Sequence, residues 1–358
     1  MFIPYATSLI SDDDKAAVMA VLDRNYLTRG QEMLALEDAF CELTGKKYAV
    51  AMSNATVALW AVLASYHLPY ICSSTLTFSA IANAAALNYF DLHLVDVDVD
   101  TLCGEFPTAW NGVDDAVYVP MDYGGYPSLD RRIVPEDYGP KIVLDAAHSL
   151  GAKLVDGKSN TYYADVAVHS LHPCKIATSG EGGVVVTDDE HLVDSLRMLR
   201  NNGFKYGTHE WVQPGLNLHL PELGCALANS QLKRLDKLIA RRQEIANFYY
   251  RVWKDDYRVI LPAWHPGHVY HLFPIRLSES VNCTVEQFQS DLKELGVGTQ
   301  RHYQNLHIKH QMGHPGDFPV AEYAYSRMLS IPMYVGLTDN DLTYVTMSIN
   351  RTLDKYSK

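Results

Sequence analysis

The sequence predicts an α/β protein, in which a large sheet covered by helices on both faces is followed by a smaller α+β domain. Short, almost wholly apolar runs separated by helical or loop segments occupy the first half of the chain, as in sheets buried on both faces. From about residue 221 a long helical pattern takes over, and one more apolar run and several helices follow it. We therefore expect a large domain at 1–240 and a small one at 241–358.

The individual elements are predicted from capping signals and periodicity. Ser11 before three aspartates predicts a helix start, and a second helix, QEMLALEDAFCELTG, is expected to end at Gly45. The apolar runs expected to form strands are 48–52, 92–97, 116–121, 141–145, 164–170 and 182–187. The later elements are one long connecting helix beginning at 221, the run VYHLFPIRL (269–277), and helices near 284–295, 319–329 and 338–354.

Composition narrows the classes of partner. The chain has 358 residues, is 47% hydrophobic and carries a formal net charge of -12 without a basic run, which argues against nucleic acid or an anionic membrane as partner. Its six cysteines are scattered without a C-x-x-C pair, as is typical of reduced thiols. We see no targeting signal and no apolar run of membrane-spanning length. These features predict a cytoplasmic protein with a small-molecule partner.

Lys175 is the first candidate for chemistry. It follows a predicted strand in HSLHPCKIATSGEGG, five residues after Ser170 and shortly before Glu181 and two glycines. Ser170 offers a hydroxyl for a phosphate, and the glycines permit a tight return into the next strand. The alternative for Lys175, and the commoner one for a lysine taken alone, is a solvated surface residue.

Asp145 ends the predicted strand KIVLD, and ligands of open α/β sheets bind at the carboxyl ends of strands. An ionised carboxylate at that edge is the partner that a protonated pyridine nitrogen requires. The alternative for Asp145 is a helix cap, and for the nearby His148 a buried structural histidine.

An anion site is predicted where the strand YAVAM meets a helix, at Ser53-Asn54-Ala55-Thr56. The N-H groups of a helix N-terminus and the Thr56 hydroxyl suit a phosphate, although polar residues there often serve only as caps. Phe78 is a candidate to stack on a ring, with a place in the core as the alternative.

The order of these features resembles the DegT/DnrJ/EryC1/StrS aminotransferases, the sugar branch of the fold type I pyridoxal enzymes. The resemblance extends over nearly the whole chain, and the S-x-H-x-x-K block followed by E-G-G is its most specific part. SNAT and DYGGYP (122–127) look most like transaminases that make 4-amino sugars, of the pseudaminic-acid-pathway type. The fold implied is a mostly parallel seven-stranded sheet domain sandwiched by helices, with a small C-terminal α+β domain.

The resemblance also implies roles for individual residues. Lys175 matches the lysine that forms the Schiff base with pyridoxal 5'-phosphate, and Asp145 matches the partner of the ring nitrogen. The other residues implied in cofactor binding are Asn54, Ala55, Thr56, Phe78, His148, Ser170 and Asn217. Asn217 matches an asparagine that reaches the phosphate of the other subunit, which implies a homodimer with shared sites. The implied substrate-side residues are Tyr5, Thr28, His302, Tyr303 and His307.

The implied reaction transfers an amino group from glutamate to a keto group of a nucleotide-linked sugar, a 4-keto-6-deoxy sugar, with pyridoxamine 5'-phosphate as intermediate. His219 and Asn202 depart from the usual family pattern near the substrate and leave the sugar open. The alternatives are a pyridoxamine-dependent dehydratase, whose relatives carry histidine in place of the lysine, and a non-enzymatic regulator on the same fold. A nicotinamide enzyme would need G-x-G-x-x-G, which is absent. HIKHQMGH (307–314) has metal-ligand spacings, but we expect no metal.

Overall fold

A computed structural model describes residues 2–107, 115–129, 139, 141–205 and 207–357. Its larger sheet has seven strands in the order β1-β7-β6-β5-β4-β2-β3. All of them run parallel except β7, which is antiparallel to both of its neighbours. The strands are β1 (Tyr48–Met52), β2 (Tyr70–Ser74), β3 (Asp91–Val95), β4 (Ala116–Val119), β5 (Lys141–Asp145), β6 (Val166–Ser170) and β7 (Gly183–Thr187). The expected mostly parallel seven-stranded sheet is confirmed.

Six of these strands coincide with the predicted apolar runs to within two residues at each end. The exception is β2, which the apolar pattern did not predict because its second half is polar. Its serines are nevertheless buried, since Ser73 Oγ donates to the carbonyl of Val119 at 2.7 Å and Ser74 Oγ to that of Leu76 at 3.2 Å. Hydroxyls satisfied in this way can occupy a sheet interior at little cost.

Helices cover both faces of the sheet, so each face of a strand is apolar. In β1, Val50 and Met52 pack on the face covered by α3, α4 and α5, whereas Ala49 and Ala51 pack on the face of α2 and α6. The first six helices are α1 (Asp12–Arg24), α2 (Gln31–Thr44), α3 (Ala55–Tyr66), α4 (Ala80–Asn88), α5 (Glu190–Arg200) and α6 (Glu222–Leu232). Burial of alternate residues on two apolar faces explains the nearly continuous apolar runs.

On the open edge of strand β1, the two side chains of an ion pair bond the backbone of Ala51. Glu37 on α2 accepts the N-H of Ala51 at 2.9 Å, and Arg200 at the end of α5 donates to the carbonyl of Ala51 at 2.7 Å. The two side chains also pair with each other at 2.6 Å, and both are buried. Both outward-facing backbone groups of Ala51 are therefore occupied by side chains.

The predicted single helix from 221 is wrong, because α6 is followed after a break by α7 (Leu235–Trp253). Arg234 leaves helical geometry at the break, and its guanidinium binds the Asp14 carboxylate and the carbonyl of Leu9. The break thus ties this segment to the N-terminal helix α1.

The second sheet has three antiparallel strands in the order β10-β9-β8, namely β8 (Val259–Ile260), β9 (Phe273–Leu277) and β10 (Met328–Ile331). Around it lie α8 (Val285–Glu294), α9 (Leu306–Lys309), α10 (Pro319–Arg327) and α11 (Asp339–Tyr356). Helix α7 joins the two cores: Leu235 and Leu238 pack with the large sheet, whereas Tyr249 and Trp253 pack with the small one. The predicted domain boundary at 240 falls within this helix.

Within the described ranges, no helix combines the length and apolar character needed to cross a bilayer.

Candidate active site

The candidate residues meet at the carboxyl ends of β5 and β6. These strands run parallel with Asp145 opposite Val168, so both end at the same edge of the sheet. Lys175 follows β6 in a turn in which its N-H donates to the carbonyl of His172 at 2.9 Å and Thr178 Oγ1 donates to that of Leu171 at 2.9 Å. The turn places Lys175, which is partly buried, beside Asp145.

Lys175 and Asp145 each affect the pKa of the other, but burial has the larger effect on both. Burial raises the pKa of Asp145 to about 6, although the N-H of Ala147, donating to Oδ1 at 3.0 Å, and the charge of Lys175 both act to lower it. Burial also lowers the pKa of Lys175, while Cys174 and Asp145 act to raise it. Desolvation is the larger cause for both groups, so the pair favours a neutral amine and attracts a cationic partner for the carboxylate.

His148 lies in the loop after β5 and has a defined tautomer. The N-H of Gly124 donates to Nδ1 at 3.3 Å, and Nε2 lies 3.0 Å from the Tyr303 hydroxyl. Burial and the neighbouring Lys175 and His302 hold the pKa of His148 well below its ordinary value. Its ring is therefore neutral, with the hydrogen on Nε2.

Three further aromatic side chains approach from the segments that flank the small sheet. His271 precedes β9, its ring centre lies 4.3 Å from that of His148, and its Nε2 is 3.5 Å from Lys175 Nζ. His302 is bonded through Nδ1 to Ser330 Oγ at 2.9 Å, and burial beside Lys175 lowers its pKa to about 3. Tyr303 completes the group, so the two sheets share this site.

The motif DYGGYP connects the two halves of the site. Tyr123 donates its hydroxyl to the carbonyl of His302, and the carbonyls of Gly124 and Gly125 accept the N-H groups of Leu272 and Val269. Gly125 has a φ of +99°, and a Cβ on it would lie 3.0 Å from the backbone N of His271. Glycine is needed here for both reasons.

A polar cradle forms where β1 and β6 end and β7 begins. Gly183 pairs with Ser170 on one side and Met52 on the other, so Ser170 lies near the start of α3. A Cβ on Gly183 would be 2.5 Å from the N of Ala55, which shows how closely the backbones approach. Asn54 caps α3 by accepting the N-H of Val57 at 2.9 Å, while the first N-H groups of a helix have no intrahelical partner. Ala55, Thr56 and Ser170 therefore lie close together at this helix N-terminus, and their role as an anion site stays a prediction.

The remaining residues near Lys175 form a small cavity and an aromatic rim. A cavity of about 20 Å³ is lined by residues that include Tyr5, Cys174, His271 and His302. Phe78 is 48% exposed, and its ring centre lies 5.5 Å from that of Tyr303. Tyr5 and Phe78 therefore border the group of residues around Lys175, which leaves Phe78 free to stack on a ligand.

Thr28 and Asn217 are exposed and lie on segments that contact each other. Arg29 Nη1 donates to Asn201 Oδ1 at 3.3 Å, and Asn201 is bridged to Asn217 through the backbone, which connects the two segments. Exposed apolar side chains lie on the same segments: Tyr26, Leu27, Trp211, Val212 and Leu216. A cluster of this kind is typical of a protein-protein interface.

His307 is completely buried, and both its ring nitrogens are engaged. Nδ1 lies 2.6 Å from Thr75 Oγ1 and Nε2 3.0 Å from Glu322 Oε1. His307 therefore ties the segment after Tyr303 to the end of β2, and its predicted substrate contact stays a prediction. No three potential ligand side chains, in the described parts of the chain, are grouped to hold a metal.

Sequence reasoning did not single out His271 or Arg242 for this site. His271 is 96 residues from Lys175, so no local spacing connects them. Arg242 lies within α7 and donates to the carbonyls of Tyr270, His271 and Met333. The available signal was a histidine at the entrance of the apolar run 269–277.

Comparisons with known proteins agree with the fold. A family model described as the DegT/DnrJ/EryC1/StrS aminotransferase family matches residues 8–350. The Helicobacter pylori PseC structure, an aminotransferase involved in the biosynthesis of pseudoaminic acid, is 25% identical, covers 99% of this chain and 100% of its own, and has a TM-score of 0.92. The aminotransferase TlmJ from Streptoalloteichus hindustanus is 26% identical over 99% of both chains, with a TM-score of 0.91. A GDP-4-keto-6-deoxymannose-3-dehydratase, 19% identical over 97% of this chain and all of its own, shares the fold with a TM-score of 0.89.

Proposed function

Because the chain belongs to the DegT/DnrJ/EryC1/StrS aminotransferase family, we propose that it moves an amino group from glutamate to the keto group of a nucleotide-linked sugar, with pyridoxal 5'-phosphate bound at Lys175. The observation that carries the proposal is the pairing of a partly buried lysine with a buried carboxylate at the edge where β5 and β6 end. A surface lysine or a simple helix cap would not need that arrangement.

The residues present fit this cofactor. Asp145 is a buried carboxylate whose pKa is raised by burial, so it is stabilised by a cation such as a protonated pyridine nitrogen. The free N-H groups at the start of α3, with Thr56 and Ser170, would hold the phosphate. Phe78 is exposed beside Tyr303 and is available to cover a ring face. When bound, the cofactor supplies an electron-withdrawing ring that stabilises negative charge on the substrate carbon.

Lys175 has the properties of both nucleophile and base. Burial lowers its pKa, which increases the fraction of neutral amine at a given pH. A lysine in this state attacks a carbonyl carbon, and once released it takes a proton from the substrate carbon and can return it to the carbon on the other side of the transferred nitrogen. Arginine could not replace it, because a guanidinium stays protonated.

The choice of sugar substrate rests on the motifs and on one structural neighbour. SNAT and DYGGYP resemble 4-amino-sugar transaminases, and PseC acts in the biosynthesis of pseudoaminic acid. We therefore propose a 4-keto-6-deoxy sugar as acceptor. The dehydratase neighbour supports the fold alone. Lys175 favours amino transfer over dehydration, because the dehydratases that resemble this chain carry histidine in place of that lysine.

We further propose a cytoplasmic homodimer in which Asn217 reaches the partner's cofactor phosphate. Asn217 is exposed next to apolar residues that include Trp211 and Leu216. A second copy covering this surface would bury these side chains, which favours association. All six cysteines are free, as expected in a reducing compartment.

The covalent link gives the most direct test. The protein is incubated with pyridoxal 5'-phosphate, reduced with borohydride and digested, and peptide mass mapping is expected to find the pyridoxyl group on Lys175. Lys175→Ala should lose the adduct, while Lys153→Ala, which changes an exposed lysine, should retain it. An unmodified Lys175 in the parent protein would contradict the proposal.

The reaction itself is tested with the loaded protein, glutamate and a nucleotide-linked 4-keto-6-deoxy sugar. Mass spectrometry should find the amino sugar together with 2-oxoglutarate in equal amounts. A product that has lost a hydroxyl group from a sugar carbon would instead indicate the dehydratase reaction. Absence of turnover with any keto sugar would favour the non-enzymatic regulator.

A further inference from the structure

The amine of Lys175 has a neighbour to which neither motif nor comparison assigns a role. Among the described residues, its one hydrogen-bond partner is His271, whose Nε2 lies 3.5 Å from Nζ. His271 precedes β9 and therefore belongs to the small-sheet side, and it is 5% exposed. A lysine that follows a strand of the large sheet is thus contacted by a buried imidazole that precedes a strand of the small sheet.

His271 is held firmly in this position. The Arg242 guanidinium donates to the carbonyls of Tyr270 at 3.0 Å, His271 at 3.3 Å and Met333 at 3.0 Å, which fixes the backbone before β9. On the opposite side Gly125 approaches so closely that a Cβ there would be 3.0 Å from the backbone N of His271. The backbone that carries the His271 side chain is therefore held on two sides, and a group on a fixed backbone can orient what it contacts.

The ring of His271 is neutral and has one acceptor nitrogen. Burial, with Lys175, His148, Arg242 and His302 nearby, holds the pKa of His271 well below its ordinary value. Its Nδ1 is buried and has no hydrogen-bond partner in the described part of the chain. Toward the Lys175 ammonium group, which can only donate, Nε2 is the acceptor, and the hydrogen of the neutral ring is then on Nδ1.

Building on the proposed role of Lys175, we propose that His271 is a positioning residue: its Nε2 accepts a hydrogen bond from the Lys175 amine and thereby fixes where that amine directs its lone pair. With one hydrogen held by His271, the lone pair points away from the imidazole. His271 touches neither the reacting carbon nor the phosphate cradle in this role, and acts only through Lys175.

The test measures the reactivity of Lys175 without cofactor. The full-length protein is stripped of cofactor and labelled with limiting acetic anhydride at a series of pH values, and peptide mass mapping gives the labelling rate of Lys175 as a function of pH. The other titratable groups near Lys175, namely Asp145, Cys174, His148 and His302, stay unchanged across the variants. A neutral acceptor stabilises the ammonium more than the amine, so its loss lowers the pKa of Lys175.

We expect His271→Leu to move the labelling midpoint of Lys175 to lower pH by about one pH unit, the size of one hydrogen bond to a charged group. His271→Asn, which stays polar but is too short to reach Nζ, should shift it equally. His271→Gln, which restores a polar group at the reach of Nε2, should leave it near the parent value. The control His268→Leu removes another buried histidine of the same segment, bonded instead to the N-H of Tyr270, and should leave the midpoint unchanged.

A parent-like midpoint in both His271→Leu and His271→Asn would overturn the proposal. So would an equal shift in His271→Gln or in His268→Leu, because either would show that packing alone is responsible. Failure of the proposed function would appear separately, as a parent protein that forms no pyridoxyl adduct on Lys175, since the acetylation midpoint is measured without that cofactor.

Discussion

The Nε2 atom of His148 lies 3.0 Å from the Tyr303 hydroxyl, while the N-H of Gly124 donates to Nδ1 of the same ring. Because a backbone N-H can only donate, the neutral ring carries its hydrogen on Nε2 and donates it to Tyr303. The Tyr303 oxygen is therefore an acceptor towards His148, and its own hydrogen is available to a ligand. Burial raises the pKa of Tyr303 well above its ordinary value, so the hydroxyl keeps that hydrogen.

Tyr303→Phe should lower kcat about tenfold, the effect of one lost hydrogen bond, and should reduce the free energy of unfolding by about 1 kcal/mol because His148 Nε2-H loses its acceptor. Steady-state kinetics and urea unfolding measure the two effects. The control Tyr250→Phe removes a hydroxyl bonded to the carbonyl of Pro262 at 2.8 Å and should cost stability alone. Unchanged kcat in Tyr303→Phe would contradict a ligand contact.

Asp145→Asn should stabilise the cofactor-free protein at neutral pH. Burial raises the pKa of Asp145 from its ordinary 3.8 to about 6, so the folded state holds the proton more tightly than the unfolded state. Its contribution to stability is fully present below pH 3.8 and is lost as the pH rises to about 6, a difference of about 3 kcal/mol. Urea unfolding from pH 4 to 8 should show the gain of the variant over the parent growing across this window and staying constant above it.

The same variant should bind pyridoxal 5'-phosphate more weakly and turn over at least a hundredfold more slowly, because the ring nitrogen loses its anionic partner. Absorbance titration and kinetics measure these effects. Stability that falls in Asp145→Asn at pH 8, with normal kinetics, would favour the helix-cap interpretation of Asp145 instead.

Gly183→Ala should damage the phosphate cradle. The new Cβ would lie 2.5 Å from the N of Ala55, so either β7 or the start of α3 must move, at a cost of about 1–3 kcal/mol. We expect weaker binding of inorganic phosphate and of the cofactor, measured by calorimetry. Gly336→Ala is the matched control, because its Cβ would meet only ordinary contacts at 3.6 Å. Equal phosphate affinity in both variants would place the anion site elsewhere.

Shared active sites predict complementation between two defective subunits. Lys175→Ala and Asn217→Ala should each have little activity alone. If Asn217 serves the partner's site, random mixing by unfolding and refolding should restore about one quarter of the sites, because each mixed dimer has one site with neither change. Turnover of the mixture reports the recovery, and size-exclusion chromatography reports the dimer. Absence of recovery in a confirmed mixed dimer would show that Asn217 acts in its own subunit.

The large sheet and the central pair of the site could be predicted because their signals are local. Asp145 ends a strand, and Lys175 lies in a short block with Ser170 and two glycines, so parallel pairing alone brings them to one edge. The strand β2 was missed because its end is polar, and the hydrogen bond that satisfies the buried Ser73 is made to Val119 of the distant strand β4. The break before α7 was missed for a similar reason, since Arg234 binds residues more than 200 positions away.

Some of the residues around Lys175 could be predicted from the sequence, and others could not. His302 and Tyr303 entered through the family resemblance, and the structure brings both to the site. His271 could not be found by pattern, because its contact with Lys175 requires the second sheet to pack against the first through Gly124 and Gly125. Contacts across two sheets depend on tertiary packing, which single-residue spacing does not encode.

The Glu37-Arg200 pair at Ala51 has a consequence for how copies of this protein associate. With the outward N-H and carbonyl of Ala51 already bonded, a neighbouring chain cannot add a continuous strand along β1. Sheets of successive copies therefore cannot join edge to edge through β1 into an extended ribbon. A second copy that associates at this margin must therefore contact side chains rather than add a strand to β1.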